Sequence, residues 1–342
     1  MPDVPFDLPI VPMEAKVATK WPQDGWAFEP KWDGFRAVSA HDDSPRIDSR
    51  KQKPLLRYFP ELVSVVASLP PGCVVDGEVL VVERDRLAFD MLQARIHPAE
   101  SRIEKLANEI PATLIAFDLL ADRGEDLRAA PFSERRLRLE ALTAELDPAW
   151  RLTPSTVDPA EGEKWFDEYE AAGCDGIVAK KRDGVYVEGK REMIKIKHRR
   201  SVDCVVGGFR IHKDGDKIGS LLLGLYAANG SLAFIGHCSG FTNHDRVELL
   251  TRFEALRDEA SFGDDVRSPG GESRWSAGKD LSWVPVKPGV VVEISYDQLT
   301  GNRFRHATRF ERWRPDKDPS DCTFDQLERP EGPGFSKIVP TG

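Results

Sequence analysis

Residues 74–82, VVDGEVLVV, constrain the fold most tightly. Their branched apolar content reads as a buried strand, yet the run carries Asp76 and Glu78. Strand side chains repeat every second residue, so both acids share one face. Two carboxylates buried side by side are costly unless something cationic neutralises them. A metal ion, a ribose hydroxyl or a lysine would serve. The competing arrangement makes Asp76-Gly77 a bulge or turn and leaves Glu78 at the surface.

Residues 29–36, EPKWDGFR, are the second unusual mixture. They lie between an extended run at 25–28 and an alternating, strand-like run at 35–40. Lys31 has aromatic and apolar neighbours, followed by Asp33, Gly34 and Arg36. Apolar surroundings and nearby cations both disfavour an ammonium. A neutral lysine amine is a nucleophile toward carbonyl or phosphoryl electrophiles. Equally, Asp33-Gly34 suits a surface hairpin turn with Lys31 in solvent.

The formal charge of −9 counts against a nucleic-acid partner only on a naive view. Net charge governs solubility and steering, whereas phosphate contact needs only a local basic face. Such a concentration runs through Lys180-Lys181-Arg182, Lys190-Arg191, Lys195, Lys197, Arg199 and Arg200. Residues 192–197 alternate, placing Lys195 and Lys197 on one face and Ile194 and Ile196 on the core face. Two ammonium groups about 7 Å apart on a strand suit the oxygens of a polyphosphate. Without an anion they would repel each other.

Length alone, 342 residues, suggests two domains. Five scattered cysteines form no CxxC pair, which argues against structural zinc and a disulfide framework and fits a reducing compartment. The first ten residues lack a basic region, and no apolar run is long enough to cross a bilayer. The expectation is a cytoplasmic, membrane-free chain.

Elements follow in order. A proline-rich lead (1–20) precedes the lysine stretch, and a helix over 60–69 ends at Pro70-Pro71-Gly72. Residues 113–120 form a strand that carries Phe117, and 133–146 form a basic-faced helix. Asp158-Pro159-Ala160-Glu161 is a helix start, with Trp165, Phe166 and Tyr169 facing inward and a stop at Gly173. Asp175 then opens a strand that ends in Lys180. A linker at 198–201 leads to short strands over 202–211, 218–227, 231–238, 290–296 and 303–310. They are joined by an Asn229-Gly230 turn, one helix around Val247 to Leu256 and a loop at 268–271. Antiparallel strands interrupted by one helix suit an OB-fold barrel. Beyond Pro319 the chain reads as a weakly packed tail.

Taken in this order, the pieces resemble the covalent nucleotidyltransferases, the polynucleotide ligases and capping enzymes. The series is Lys31-x-Asp33-Gly34-x-Arg36, Ser49-Arg50, Asp76-Gly77-Glu78, Phe117-Asp118, residues 175–180 (DGIVAK), Lys195-x-Lys197 and Arg314-x-Asp316-Lys317. Its phrasing is most similar to short bacterial ATP-dependent DNA ligases of the ligase C type.

The resemblance implies an α+β nucleotidyltransferase (adenylation) domain over 1–198, with antiparallel sheets and flanking helices. An all-β OB-fold domain over 199–320 and a tail over 321–342 would follow. Lys31 would attack the α-phosphorus of ATP, leaving a lysyl-AMP. Glu29 would sit beside the adenine and Phe117 would stack on it. Arg36 and Arg50 would contact ribose and phosphate, and Lys195 and Lys197 the α-phosphate. Arg312, Arg314 and Lys317 would orient the leaving pyrophosphate. Glu78 and Asp175 would face a divalent ion, Mg²⁺ or Mn²⁺, with Glu78 alternatively on the ribose hydroxyl. The implied reaction seals 3′-hydroxyl/5′-phosphate nicks in double-stranded DNA, by a monomer serving in repair. An RNA ligase or GTP-using capping enzyme is the nearest alternative, and a non-catalytic nucleic-acid adaptor a more distant one. NAD-dependent ligases carry an extra module before the lysine and a four-cysteine zinc site; lacking both patterns, this sequence favours a nucleoside triphosphate. One departure is Asp175, where the family usually has Glu.

Overall fold

The computed structural model describes residues 3–259, 261–263, 269, 280–327 and 331–339. They fall into two compact units, one of Met1–Lys197 with Pro330–Gly342 and one of His198–Arg329. The C-terminal end therefore belongs to the first unit.

Two sheets build the first unit. The larger runs Pro45–Ser49, Phe35–His41, Cys73–Glu83, Ala112–Asp122 and Glu125–Asp126, all antiparallel. Arg86–Leu87 pairs with Cys73–Glu83, and Trp150–Leu152 runs parallel to Ala112–Asp122. Its core, which includes Val75, Val79, Leu114 and Leu119, is covered by helix Phe132–Glu145 through Leu139 and Leu142. The smaller sheet has the order Ala15–Val17, Met193–Lys197, Gly176–Lys181, Trp26–Pro30. Its first pair is parallel and the other two are antiparallel. Helix Pro159–Glu168 starts where its proline and N-cap dictate, with the Asp158 carboxylate accepting from the Ala160 N–H. It packs Trp165 against Phe28 and Ile177.

The Asp-Gly pairs do not make the turns that their composition allows. Gly34 and Gly77 are absent from the positive-φ positions. A Cβ on Gly34 would lie 2.3 Å from the Val79 carbonyl oxygen, and one on Gly77 would lie 2.4 Å from that of Ile115. These glycines permit close approach of strands, a long-range requirement. Asp76-Gly77 sits inside an 11-residue strand, although the register toward Ala112–Asp122 does shift between Asp76 and Gly77.

In the second unit the order is Leu232–Cys238, Ile218–Tyr226, Arg200–Ile211, Val291–Tyr296, Arg309–Trp313, with Val284–Pro285 alongside Arg200–Ile211. Every pairing is antiparallel. A parallel bridge from Cys238, at the end of one outer strand, to Thr308, just before the other, closes the sheet toward a barrel. Helix Asn243–Glu254 begins with a capping box of Thr242 and Asp245 and inserts Phe253 between Phe209 and Trp313. This is the OB arrangement.

Several boundaries move. The linker is shorter, because a strand begins at Arg200. The last strand is Arg309–Trp313, while Arg303–Phe304 pairs with Leu299–Thr300. The helix over 60–69 is one 3₁₀ turn, Pro60–Leu62, plus the short helix Val63–Ala67. Helices Phe89–Ala94 and Glu100–Glu109 lie where no element was expected; the second buries only Ile103 and Leu106, too thin a stripe to read. The 268–271 loop, Pro269 aside, lies outside the described residues. The segment after residue 330 packs tightly: Phe335, Ile338 and Val339 are buried against Trp32 and Leu80.

Candidate active site

Lys31 follows strand Trp26–Pro30 and is held by backbone bonds across to the next strand. Its N–H donates to the Gly176 carbonyl at 2.8 Å, and the Asp175 N–H donates to the Lys31 carbonyl at 2.9 Å. Gly176 has φ +130°, and a Cβ there would lie 2.0 Å from the Ile196 carbonyl oxygen. Glycine thus lets the Asp175 end of one strand meet the Lys197 end of the other, and the register pairs Gly176 with Lys197.

The consequence is a carboxylate shared by two lysines. Asp175 Oδ2 lies 2.8 Å from Lys31 Nζ and 2.8 Å from Lys197 Nζ. Burial works against the Asp175 charge, but Lys31 and Lys197 override it and hold the carboxyl below its usual range. The Lys31 side chain is 20% exposed, so it is neither sealed in nor free in solvent.

For Lys195, two residues before Lys197 on the same face, it is the charged form that is disfavoured. Burial first, then the charges of Lys31, Lys197 and Arg50, lower its pKa. Arg50 itself sits at the exposed rim, its guanidinium donating to Glu14 at 2.7 Å. Four cations therefore crowd one place with Asp175 among them, an arrangement that an incoming polyanion would relieve.

Across from the lysine, Asp76 has found its neutralising cation. Arg36 binds both Asp76 carboxylate oxygens and also donates to the Met13 carbonyl at 3.1 Å. The Tyr186 hydroxyl donates to Asp76 at 2.6 Å. The expected metal ion, ribose or lysine is thus replaced, for Asp76, by an arginine. Glu78 is less well served. Burial, against Arg36 and Lys31 and with Asp76 and Asp33 nearby, pushes its carboxyl up to about 7.

That shift has a measurable sign. A carboxyl raised from 4.5 to about 7 holds its proton more tightly folded than unfolded, so its ionisation costs stability progressively as pH rises through this window. Glu78→Gln, without nucleotide or metal, should leave stability unchanged near pH 4.5. By pH 8 it should raise it by up to about 3 kcal/mol. Paired thermal melts at the two pH values check this; an equal effect at both would contradict it.

Glu29 is 2% exposed. Its Oε2 meets Lys180 Nζ at 2.8 Å, while Oε1, 3.5 Å from Arg136, has no hydrogen-bond partner. Burial raises the Glu29 pKa against Lys180 and Arg136. Phe117 lies close by, its ring carrying the Arg36 guanidinium 4.6 Å and the Lys180 ammonium 4.7 Å from its centroid. Lys180 also donates to the Phe117 carbonyl at 2.6 Å, and Arg135 clamps Asp118 with bonds of 2.7 and 3.0 Å. Sequence reasoning gave Arg135, Arg136 and Tyr186 no role, and it counted Lys180 in the basic concentration, whereas Lys180 is buried against Glu29. Lys180 left a signal, since a lysine inside the apolar strand Gly176–Lys181 demands a buried acid.

Lys31, Glu29, Arg36, Glu78, Phe117, Asp175, Lys195 and Lys197 are thus all borne by the first unit. Arg312, Arg314 and Lys317 gather on the second. Arg314 binds both Asp203 oxygens at 2.9 Å and also pairs with Asp316; Arg312 meets Glu293 at 2.6 Å. Lys317 is 4.0 Å from Asp203.

Among the described residues no group of three or more His, Cys, Asp or Glu is arranged to hold a metal. The donors that fit one are Glu78 and Asp175, hard oxygens suited to Mg²⁺ or Mn²⁺ if substrate oxygens and water complete the shell. The ionised form of Glu78, disfavoured by burial, is the form that a cation would stabilise. Nor is any described helix long and apolar enough to cross a membrane.

Comparison with known proteins agrees with this picture. The ATP dependent DNA ligase domain family matches residues 11–197, and the ATP dependent DNA ligase C terminal region matches 214–317. DNA ligase C of Mycobacterium tuberculosis is 48% identical, covering 98% of this chain and 99% of its own. The multifunctional non-homologous end joining protein LigD of Mycobacterium bovis is 30% identical over 86% of this chain, but over only 37% of its own length. A solved Lig E DNA ligase, 16% identical with a TM-score of 0.58, covers 88% of this chain and 98% of its own and shares the fold.

Proposed function

The chain belongs to the ATP-dependent DNA ligases, of the short bacterial kind similar to ligase C, and from that we propose that it seals 3′-hydroxyl/5′-phosphate nicks in duplex DNA through a lysyl-AMP on Lys31. The observation that carries this reading is the Asp175 carboxylate bridging Lys31 and Lys197 inside a cluster of cations. It supports an amine oriented by its neighbours, beside cations that an incoming phosphate would engage.

In the first step the Lys31 amine bonds to the α-phosphorus of ATP, and the bond to the pyrophosphate oxygen breaks. Lys195 and Lys197 stabilise the charge that builds on the α-phosphate, the contribution expected to weigh most. The family resemblance assigns the leaving pyrophosphate to Arg312, Arg314 and Lys317, which the second unit carries. A divalent ion held by Glu78 and Asp175 would supply Lewis-acid polarisation of phosphate oxygens. The AMP then passes from Lys31 to a 5′-phosphate at the nick, and the neighbouring 3′-hydroxyl displaces it.

Adenine rather than guanine is favoured by Glu29. Its buried Oε1, ion-paired with Arg136 at 3.5 Å but without a hydrogen bond, suits the adenine N6 amino donor, whereas guanine offers an acceptor, O6, at that position. Stacking on Phe117 requires the base to take a ring face now bordered by Arg36 and Lys180. A non-catalytic adaptor would have no use for this arrangement. A repair role is in keeping with the likeness to an end-joining protein.

Sealing of a singly nicked duplex by the purified protein with ATP and Mg²⁺, and not with GTP, tests the proposal. No sealing would refute it, and sealing of RNA alone would move the acceptor. Binding through exposed phosphate contacts should also be salt-sensitive: the nick dissociation constant should rise on the order of 100-fold or more from 50 to 200 mM salt. Titrations at several salt concentrations read this directly, and a flat profile would contradict it.

A further inference from the structure

The final described segment lies directly behind the lysine. Phe335 and Ile338, on helix Phe335–Ile338, are buried with Trp32, Leu80 and Cys174. The Phe335 ring meets the Trp32 indole edge-on, with centroids 5.7 Å apart. The indole is fixed at its polar end too, since Trp32 Nε1 donates to Thr153 Oγ1 at 2.9 Å. Trp32 follows Lys31 in the chain and Cys174 precedes Asp175. One apolar cluster therefore backs both members of the Lys31–Asp175 pair.

The seat is built rather than incidental. The Phe335 N–H donates to the Asp85 carbonyl at 2.8 Å. The Ser336 N–H and hydroxyl donate to the Asp85 carboxylate at 2.7 and 3.0 Å. A Cβ on Gly332 would lie 2.4 Å from the Glu168 carbonyl oxygen, and one on Gly334 1.9 Å from Asp85 Oδ2. The two glycines that made this stretch read as a loose tail are what let it approach so closely.

We propose that the C-terminal segment 331–339 is a positioning element for nucleotidyl transfer: Phe335 wedges Trp32 and thereby sets Lys31 Nζ against Asp175. Phe335 touches no substrate atom and acts through Trp32. The proposal rests on the lysyl-AMP reading above, and it separates two steps that share one site. Attack on ATP needs Lys31 held within a fraction of an ångström. Closure of a nick that already carries a 5′-adenylate does not use Lys31 as nucleophile.

The test is Phe335→Ala in the full chain, assayed for AMP transfer to protein over a range of ATP and for closure of a pre-adenylated nick. The rate at saturating ATP should fall on the order of tenfold or more, with KM for ATP little changed and pre-adenylated closure retained. Phe335→Leu, which keeps most of the volume, should recover most of the rate. If the alanine variant does not fold, the leucine variant is read alone and should show a smaller loss confined to AMP transfer. Equal loss in both steps, or no loss in either, overturns the proposal. Failure of the parent protein to accept AMP would instead overturn the lysyl-AMP reading.

Discussion

Lys31→Ala should abolish AMP transfer to the protein while leaving closure of a pre-adenylated nick measurable. Losing the nucleophile of a unit that acts together costs on the order of 10⁴ to 10⁶ in rate. The fold should survive. Lys31 is partly exposed and paired with Asp175, and Asp175 retains Lys197 at 2.8 Å after the change. The remaining charge on Asp175 is therefore not left buried alone, the situation that destabilises most. α-Labelled ATP with Mg²⁺ reads the first step and a synthetic adenylated nick the last. Label retained by the variant at the parent rate would remove Lys31 from the mechanism.

Lys197→Ala should act on rate more than on binding. Its ammonium sits against Asp175 before reaction, and Lys195 on the same face is already burdened by its cationic neighbours. A group that holds charge as it develops contributes to the transition state beyond the ground state. Removing one such group costs on the order of 10² to 10³ in kcat. KM for ATP should move little, since Lys195 and Arg50 remain to attract the triphosphate. Steady-state adenylation over a range of ATP distinguishes the cases. A raised KM with kcat intact would make Lys197 a binding residue only.

Much of this site was legible because its signals are local. The alternation at 192–197 put Lys195 and Lys197 on one face, and the strand Met193–Lys197 bears that out. Asp158-Pro159 marked the start of its helix to the residue, but the helix ends at Glu168, and Gly173, φ +95°, closes the 3₁₀ turn Tyr169–Ala172 that follows. What escaped depends on partners far apart in sequence. Gly34 and Gly77 looked like turn residues because the carbonyls they must clear, at Val79 and Ile115, are visible only after folding. Arg36 as the partner of Asp76, and Lys180 as the partner of Glu29, are pairings between elements that no spacing encodes. The tail misled for the same reason. Its composition is that of a linker, and only the groove beside Trp32 and Asp85 makes it part of the core.

The central claim is that one amine, at Lys31, carries the nucleotide. It is tested most directly by incubating the protein with ATP and Mg²⁺, measuring its intact mass, and mapping the adduct by peptide fragmentation. The account predicts a single added adenylate, on the peptide containing Lys31. An unmodified mass, or an adenylate on Lys180, Lys195 or Lys197, would contradict it.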